Sequence, residues 1–186
     1  NLEENPFIIG GSITFELQIV NGEEHLKMLY VKREHNQINF WQINTEHYYY
    51  PGMDWYIIPK ELKKKYWSEP YFDEGAGNVV MSTYSIPLIN KNGQVYAVYT
   101  ADISLYQFAD MVKKIQPYEH SYSFMLSRAG YYLTHADKGK ILHETIFSYA
   151  FSIQNKPCEK LGHCMKKKKK GVFSMNYKGQ STYAIY

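Results

Sequence analysis

The residues best placed for chemistry lie in "WSEPYFDEGAGNVVMSTYSIPL", Trp67 to Leu88. A Trp, a Tyr and an Asp stand there within seven residues, ahead of a glycine turn and a run with strand character. Tyr71 and Asp73 are two apart, so an extended backbone turns both side chains to one side. A hydrophobic core admits rings and rejects charges, and a solvated turn does the reverse. A pocket that grips a small polar molecule uses both. "YYYPGMDWY" adds Tyr48 to Tyr50 before a Pro51-Gly52 turn and Trp55-Tyr56 after it. Asp102 ends an apolar run just before a helical pattern opens at Ser104. Its carboxylate could cap that helix; Ser104 could do so instead and free Asp102 for a ligand amine. Spacing leaves both open, as it leaves Trp55 either plugging its helix onto a sheet or lining a pocket. Trp67 and Pro70 read as braces of their loop.

Signatures of covalent or phosphoryl chemistry are missing. There is no Walker or dinucleotide glycine loop, and no G-x-S-x-G or H-E-x-x-H. Gly75 to Gly77 make a turn with no helix opening after it. Asp73 and Glu74 are neighbours and diverge, and His135 and His143 are isolated. No catalytic residue and no cofactor is therefore expected. The formal net charge is +3, much of it in the block Lys166 to Lys170, which reads as a solvated loop. Nucleic-acid binding needs a basic face interleaved with aromatics, and none is visible. "CEKLGHC" holds both cysteines, Cys158 and Cys164. A disulfide between them in an oxidising compartment is the first expectation, stabilising by roughly 2 kcal/mol. Free thiols come second. A metal at His163 and Cys164 comes last, because zinc takes four ligands arriving in pairs.

With 186 residues, 45% of them hydrophobic, the chain can bury the core of one domain or two small modules. Nineteen tyrosines suit half-buried strand faces and pockets. "SITFELQI" alternates, which predicts a strand with Ile13, Phe15, Leu17 and Ile19 on one side. Asn21-Gly22 signals a tight turn. "HLKMLYVKRE" and "QINFWQI" continue as strands around His35-Asn36. Asp54 is expected to cap a short helix from Trp55, and Pro59 to start a second helical turn. Strands follow over "NVVMSTYSIPLI" and "QVYAVYTADISL", with a turn at "NKNG" and Val95, Ala97 and Tyr99 sharing a face. A helix from Ser104 carries the stripe Leu105, Phe108, Met111, Val112 and Ile115. Two short strands around Arg128 to Gly130, a helix over "GKILHETIFSYAFS", a polar loop with the cysteines and lysines, and a hairpin turning at Lys178-Gly179 complete the chain. The class is α+β with antiparallel sheets.

Four blocks, "DWY", "WSEPYFDEGAGNVVMSTYSIPL", "GQVYAVYTADISL" and "SYSFMLSRAGYYLTHAD", together resemble the double Cache family of extracytoplasmic sensor domains. The resemblance implies a PAS-like, membrane-distal module over residues 1–117 and part of a membrane-proximal module over 118–186. The family's long N-terminal helix and the end of the proximal module would then lie outside the chain. No signal-peptide h-region and no membrane-spanning apolar run occurs, and the chain begins at Asn1, so it reads as a piece of a longer membrane-anchored receptor. The amino-acid-binding branch of the family holds its ligand with a Tyr, an Arg, a Trp-Tyr pair, a later Tyr and an Asp. Tyr48, Trp55, Tyr56, Tyr71 and Asp102 fall at matching places, while Met53 replaces the Arg. A thioether cannot pair with a carboxylate. The resemblance thus implies an amine half-site, Asp73 and Asp102 facing a cation among rings. An amine, another metabolite or no small ligand are the alternatives.

The expected function is ligand sensing outside the membrane, with a homodimer through the missing helix as one arrangement and no nucleic-acid partner. A ligand-free spacer or protein-interaction module is the alternative, with Tyr48, Met53 and Tyr84 filling the cavity. A hydrolase would need a nucleophile, base and orienter that the sequence does not offer.

Overall fold

Two-residue turns with positive φ at both positions close hairpins at Asn21-Gly22 (54° and 85°) and Lys178-Gly179 (52° and 83°). This is the twist-matched geometry that Asn and Gly tolerate. A computed structural model describes every residue except Asn1, Glu3, Asn36, residues 44–46, Lys168 and Lys169. The Asn36 half of the expected His35-Asn36 turn, and two lysines of the basic block, lie outside the described residues. The chain divides into two compact units, Asn1–Gln107 and Phe108–Tyr186. The division falls ten residues before Pro117, the boundary expected from the sequence.

The first unit opens with β1 (Ile8–Phe15), the hairpin β2 (Gln18–Val20) and β3 (Glu23–His25), then β4 (Met28–Glu34) and β5 (Gln37–Gln42). A 3-10 turn at Tyr50–Gly52 leads into α1 (Asp54–Leu62). Two short strands, β6 (Tyr66–Trp67) and β7 (Tyr71–Phe72), precede the long hairpin β8 (Val80–Ile89) and β9 (Val95–Ser104). Seven strands form one antiparallel sheet in the order β5-β4-β1-β9-β8-β6, with β7 also on β8. Helix α2 (Leu105–Lys113) carries the unit division.

The sheet reverses the expected polarity of β1. Ser12 and Thr14 are buried, whereas Ile13 and Ile19 are exposed. The reason is a hydroxyl network: Ser12 Oγ lies 2.9 Å from both Thr14 Oγ1 and Thr100 Oγ1. Two helix expectations change as well. Asp54 is the first residue of α1 rather than its cap, and Met53 stands at the cap with no side-chain bond. Asp54 therefore acts through the helix dipole. Pro59 lies inside one continuous α1 instead of starting a second turn. On β9, Val98, Thr100 and Asp102 point inward while Tyr99 is exposed.

The second unit holds β10 (Met125–Leu126), β11 (Tyr132–Thr134), α3 (Ile146–Ser152), α4 (Lys156–Lys167) and the hairpin β12 (Val172–Tyr177) and β13 (Gln180–Ile185). The helix expected over "GKILHETIFSYAFS" forms only in its second half, where Thr145 and Ser148 make a capping box. The expected polar loop is instead the helix α4, because Leu161 and Cys158 pack on Tyr132, Ile146 and Tyr149. This corrects the disulfide expectation. Cys158 and Cys164 are free thiols. Six residues apart on a helix is about 9 Å of rise, beyond the Cα separation a disulfide spans.

Candidate ligand site: an acid–aromatic cluster

Strand register builds the site. On the face of the sheet that packs against α1, Asp102 of β9 pairs Thr83 of β8 on one side and Gly10 of β1 on the other. Gly10 in turn pairs Lys32 of β4. One row across four strands therefore reads Thr83, Asp102, Gly10, Lys32. The next row reads Ser85, Thr100, Ser12, Tyr30. Gly10 is required where it stands, since a Cβ there would come within 2.6 Å of the Tyr30 hydroxyl. The ring of Tyr30 leans across the gap toward Asp102.

Asp102 is 3% exposed and accepts a 2.9 Å bond from Thr83 Oγ1. Tyr71 lies 2.7 Å from that same Thr83 oxygen, giving a relay Tyr71 to Thr83 to Asp102. Ser104 Oγ accepts the Tyr106 N–H and so caps α2. That removes the capping role left open for Asp102. Asp73 is 4% exposed and takes two bonds, from Tyr48 Oη at 2.5 Å and from the Gly77 N–H at 2.6 Å. The second bond ties the turn from Asp73 to Asn78 shut. Gly77 permits it: an added Cβ would strike Met81 Cε and come within 3.0 Å of Asp73 Oδ2.

The electrostatics are those of an uncompensated acid pair. Burial pushes the Asp102 carboxyl up to about 7; Thr83 opposes the rise and the Asp73 charge adds to it. Burial also raises Asp73, while Tyr48, Gly77 and the Lys32 charge pull it back. The Tyr30 hydroxyl is held far above its ordinary range by burial and then by the charges of Asp102 and Asp73. It reaches Asp102 closely enough to act on it as a weak donor, lowering that carboxyl, but outside ordinary hydrogen-bond geometry. The indole N–H of Trp55 is buried without a partner too. Unpaired buried polar groups are costly, so this region is an unusual place to leave two of them.

The structure brings Tyr48, Tyr71, Asp73 and Asp102 into one cluster. Trp55 and Tyr56 are buried in the adjoining core, ring edge to face at 6.1 Å. The Tyr56 hydroxyl bonds the Phe15 carbonyl at 3.4 Å, and so does not point at the acids. Tyr30, Thr83 and Gly77 are additions. The alternation of "MLYVKRE" puts Tyr30 inward with Met28, and that was the available signal. Of the three expected plugs, Met53 is exposed and Tyr84 packs on Trp67 at 4.9 Å, whereas Tyr48 is buried within the cluster against Asp73. A cavity of about 460 Å³ adjoins the cluster, walled by Tyr30 and Tyr48 and by Lys32, Trp41, His47 and Ala76. Of the six sequence-expected site residues only Tyr48 lines it, so the acids sit behind the turn from Asp73 to Asn78. Among the described residues no three His, Cys, Asp or Glu side chains converge on a metal position. Nor is any described helix long and apolar enough to cross a membrane.

The fold and this buried polar site define a PAS-like sensor module of the Cache type. Residues 1–110 match the methyl-accepting chemotaxis protein-like, first PDC sensor domain family, and the chain belongs to it. Among solved structures, mmHK1S-Z3, titled as the extracellular domain of a candidate histidine kinase, is 22% identical with a TM-score of 0.74, covering 99% of this chain and 68% of that one. The periplasmic sensory domain of the Campylobacter jejuni chemoreceptor Tlp1 is 16% identical with a TM-score of 0.66, covering 96% and 66%. The ligand-binding domain of the Pseudomonas aeruginosa PAO1 amino acid chemoreceptor PctC, in complex with GABA, is 18% identical with a TM-score of 0.58, covering 95% and 66%. These likenesses establish the fold, and the chain spans about two thirds of each neighbour's length. The extracytoplasmic setting expected from the sequence agrees with them. No curated protein matches the chain.

Proposed function

We propose that the first unit is the membrane-distal, non-catalytic sensing module of a transmembrane receptor and binds a small amine at Asp73 and Asp102. In this reading the second unit is part of the membrane-proximal module. The carrying observation is the buried acid pair, with a Tyr30 hydroxyl beside it that makes no bond of ordinary geometry. An ammonium group supplies what the cluster lacks, a cation with three donors and a surround of rings that attracts positive charge. It would also compete with Tyr48 and Gly77 for Asp73. The turn from Asp73 to Asn78 is held by those bonds together with the Asn78 N–H to the Asp73 carbonyl at 2.7 Å, so loss of the carboxylate's share on ligand binding favours an arrangement in which that turn has moved. This is a population shift driven by differential contacts, and it gives the receptor a signal to pass on. PctC, solved with an amine-bearing ligand, supports the chemistry by analogy only.

A thermal-shift series of n-propylamine, n-butylamine and n-pentylamine against the matching alcohols tests the reading. Stabilisation that rises with the logarithm of amine concentration above the Kd, and is missing for the alcohols, is expected. Equal shifts for amines and alcohols, or none for either, would return the module to the ligand-free spacer reading.

A further inference from the structure

The two units carry opposite charge. Residues 1–107 hold 8 Lys and Arg against 13 Asp and Glu, a formal net charge of −5, while residues 108–186 hold 13 against 5, net +8. Helix α4 sorts much of that excess onto one face. Cys158, Leu161 and Gly162 are buried, with Met165 packed beside them. Lys156, Lys160, His163 and Lys167 are all exposed. These four are spaced i, i+4, i+7 and i+11, which places them within about 60° of one another and directly opposite the buried arc. The row runs about 16 Å along the helix. Glu159 is the one acid of α4 and stands on its flank. Among the described residues Lys156, Lys160 and Lys167 make no ion pair; the pairs present use Lys32, Lys60 and Lys140. Lys156 and Lys160, like charges at i and i+4, work against their own helix, and an anionic partner removes that cost.

We propose that this face of α4 docks on an anionic phospholipid bilayer. The inference stands apart from the amine reading. The extracytoplasmic setting puts a membrane surface within reach. A straight row of cations on a cylinder fits a flat layer of headgroups, and long lysine stems let each ammonium find a phosphate. Nucleic acid is a poorer match, because no aromatic ring is interleaved in the row. The most exposed large hydrophobic among the described residues, Phe151 at 87%, lies in the last turn of α3, just ahead of the row in the chain. An exposed ring with basic residues after it is the composition of an interfacial anchor.

Flotation of the 186-residue chain with vesicles of phosphatidylcholine alone, or of phosphatidylcholine and phosphatidylglycerol in equal parts, tests this. The chain should float with the anionic vesicles only, and raising salt from about 0.1 M to about 0.5 M should release it. Lys156→Gln, Lys160→Gln and Lys167→Gln together should weaken binding about a hundredfold, each lysine near an anionic surface being worth about fivefold. Lys113→Gln, Lys114→Gln and Lys138→Gln, which remove the same charge from the same unit away from the row, should weaken it less than about threefold. All six side chains are exposed, so neither variant disturbs the core. Equal flotation with neutral and anionic vesicles, flotation with neither, or equal weakening by the two triple variants overturns the docking face and leaves the amine reading untouched.

Discussion

Both units bury tyrosines and polar groups, but they treat them differently. In the second unit the Tyr149 and Tyr177 hydroxyls bond each other at 2.6 Å. Lys140 lies over the Tyr149 ring and pairs Glu144 at 3.2 Å. No carboxylate among the described residues there is buried. Every polar group in that account has a partner, and the cluster reads as structure. In the first unit two carboxylates are buried together, and the Tyr30 hydroxyl beside them meets Asp102 only outside ordinary hydrogen-bond geometry. That contrast, a closed polar cluster in the second unit and an incompletely paired acid cluster in the first, is what supports the proposed binding site.

The largest effect that would break this contrast belongs to Asp102→Asn. It should weaken amine binding about a hundredfold or more, because one partner of a buried charge pair is lost. Without ligand it should raise stability at pH 8 by on the order of 3 kcal/mol, since a buried charge is replaced by an isosteric neutral group. Urea melts and calorimetry read the two halves. A variant that is less stable and binds unchanged would make Asp102 an ordinary core residue.

The next effect is a pH profile. The Asp102 carboxyl ionises near 3.8 in the unfolded chain and near 7 in the folded one. The folded state therefore holds the extra proton between those values, and ligand-free stability falls as pH rises through that window. Amine affinity runs the other way. It should be about tenfold weaker at pH 6 than at pH 8, because a protonated Asp102 cannot pair an ammonium.

The smallest effect sharpens the comparison directly. Tyr149→Phe should cost about 0.5–1.5 kcal/mol, the worth of a made hydrogen bond. Tyr30→Phe should cost less, since its hydroxyl has only an off-geometry contact with Asp102 to lose. Equal costs in paired chemical melts would erase the distinction between the units.

Much of the fold was legible because local chemistry and tertiary packing agree. Asn21-Gly22, the Asn90 to Gly93 turn and Lys178-Gly179 each need positive φ, and each turns a hairpin. The failures came where packing overrode pattern. The alternation of β1 was seen, but its buried side carries Ser12 and Thr14, because Thr100 offers hydroxyl partners that no single strand reveals. Helix α4 was hidden by its lysines and cysteines, whose apolar stripe is short and acquires meaning only against Ile146 and Tyr149. For the cluster, Tyr71 and Asp73 carried their signal in spacing, whereas spacing left Asp102 open between a helix cap and the cluster until Ser104 was seen to cap α2. Thr83 did not, because its role comes from cross-strand register, and for Tyr30 alternation gives only its inward direction, not its place beside Asp102.

The most direct test is proton release on binding. Calorimetry of n-butylamine at pH 6.5, in two buffers of different ionisation enthalpy, counts the protons exchanged. If the ammonium takes the place opposite a buried acid of raised pKa, about three quarters of a proton should leave per amine bound, and none in Asp102→Asn. Saturable binding with no proton released, or the same release from the variant, would contradict a cation site at Asp102.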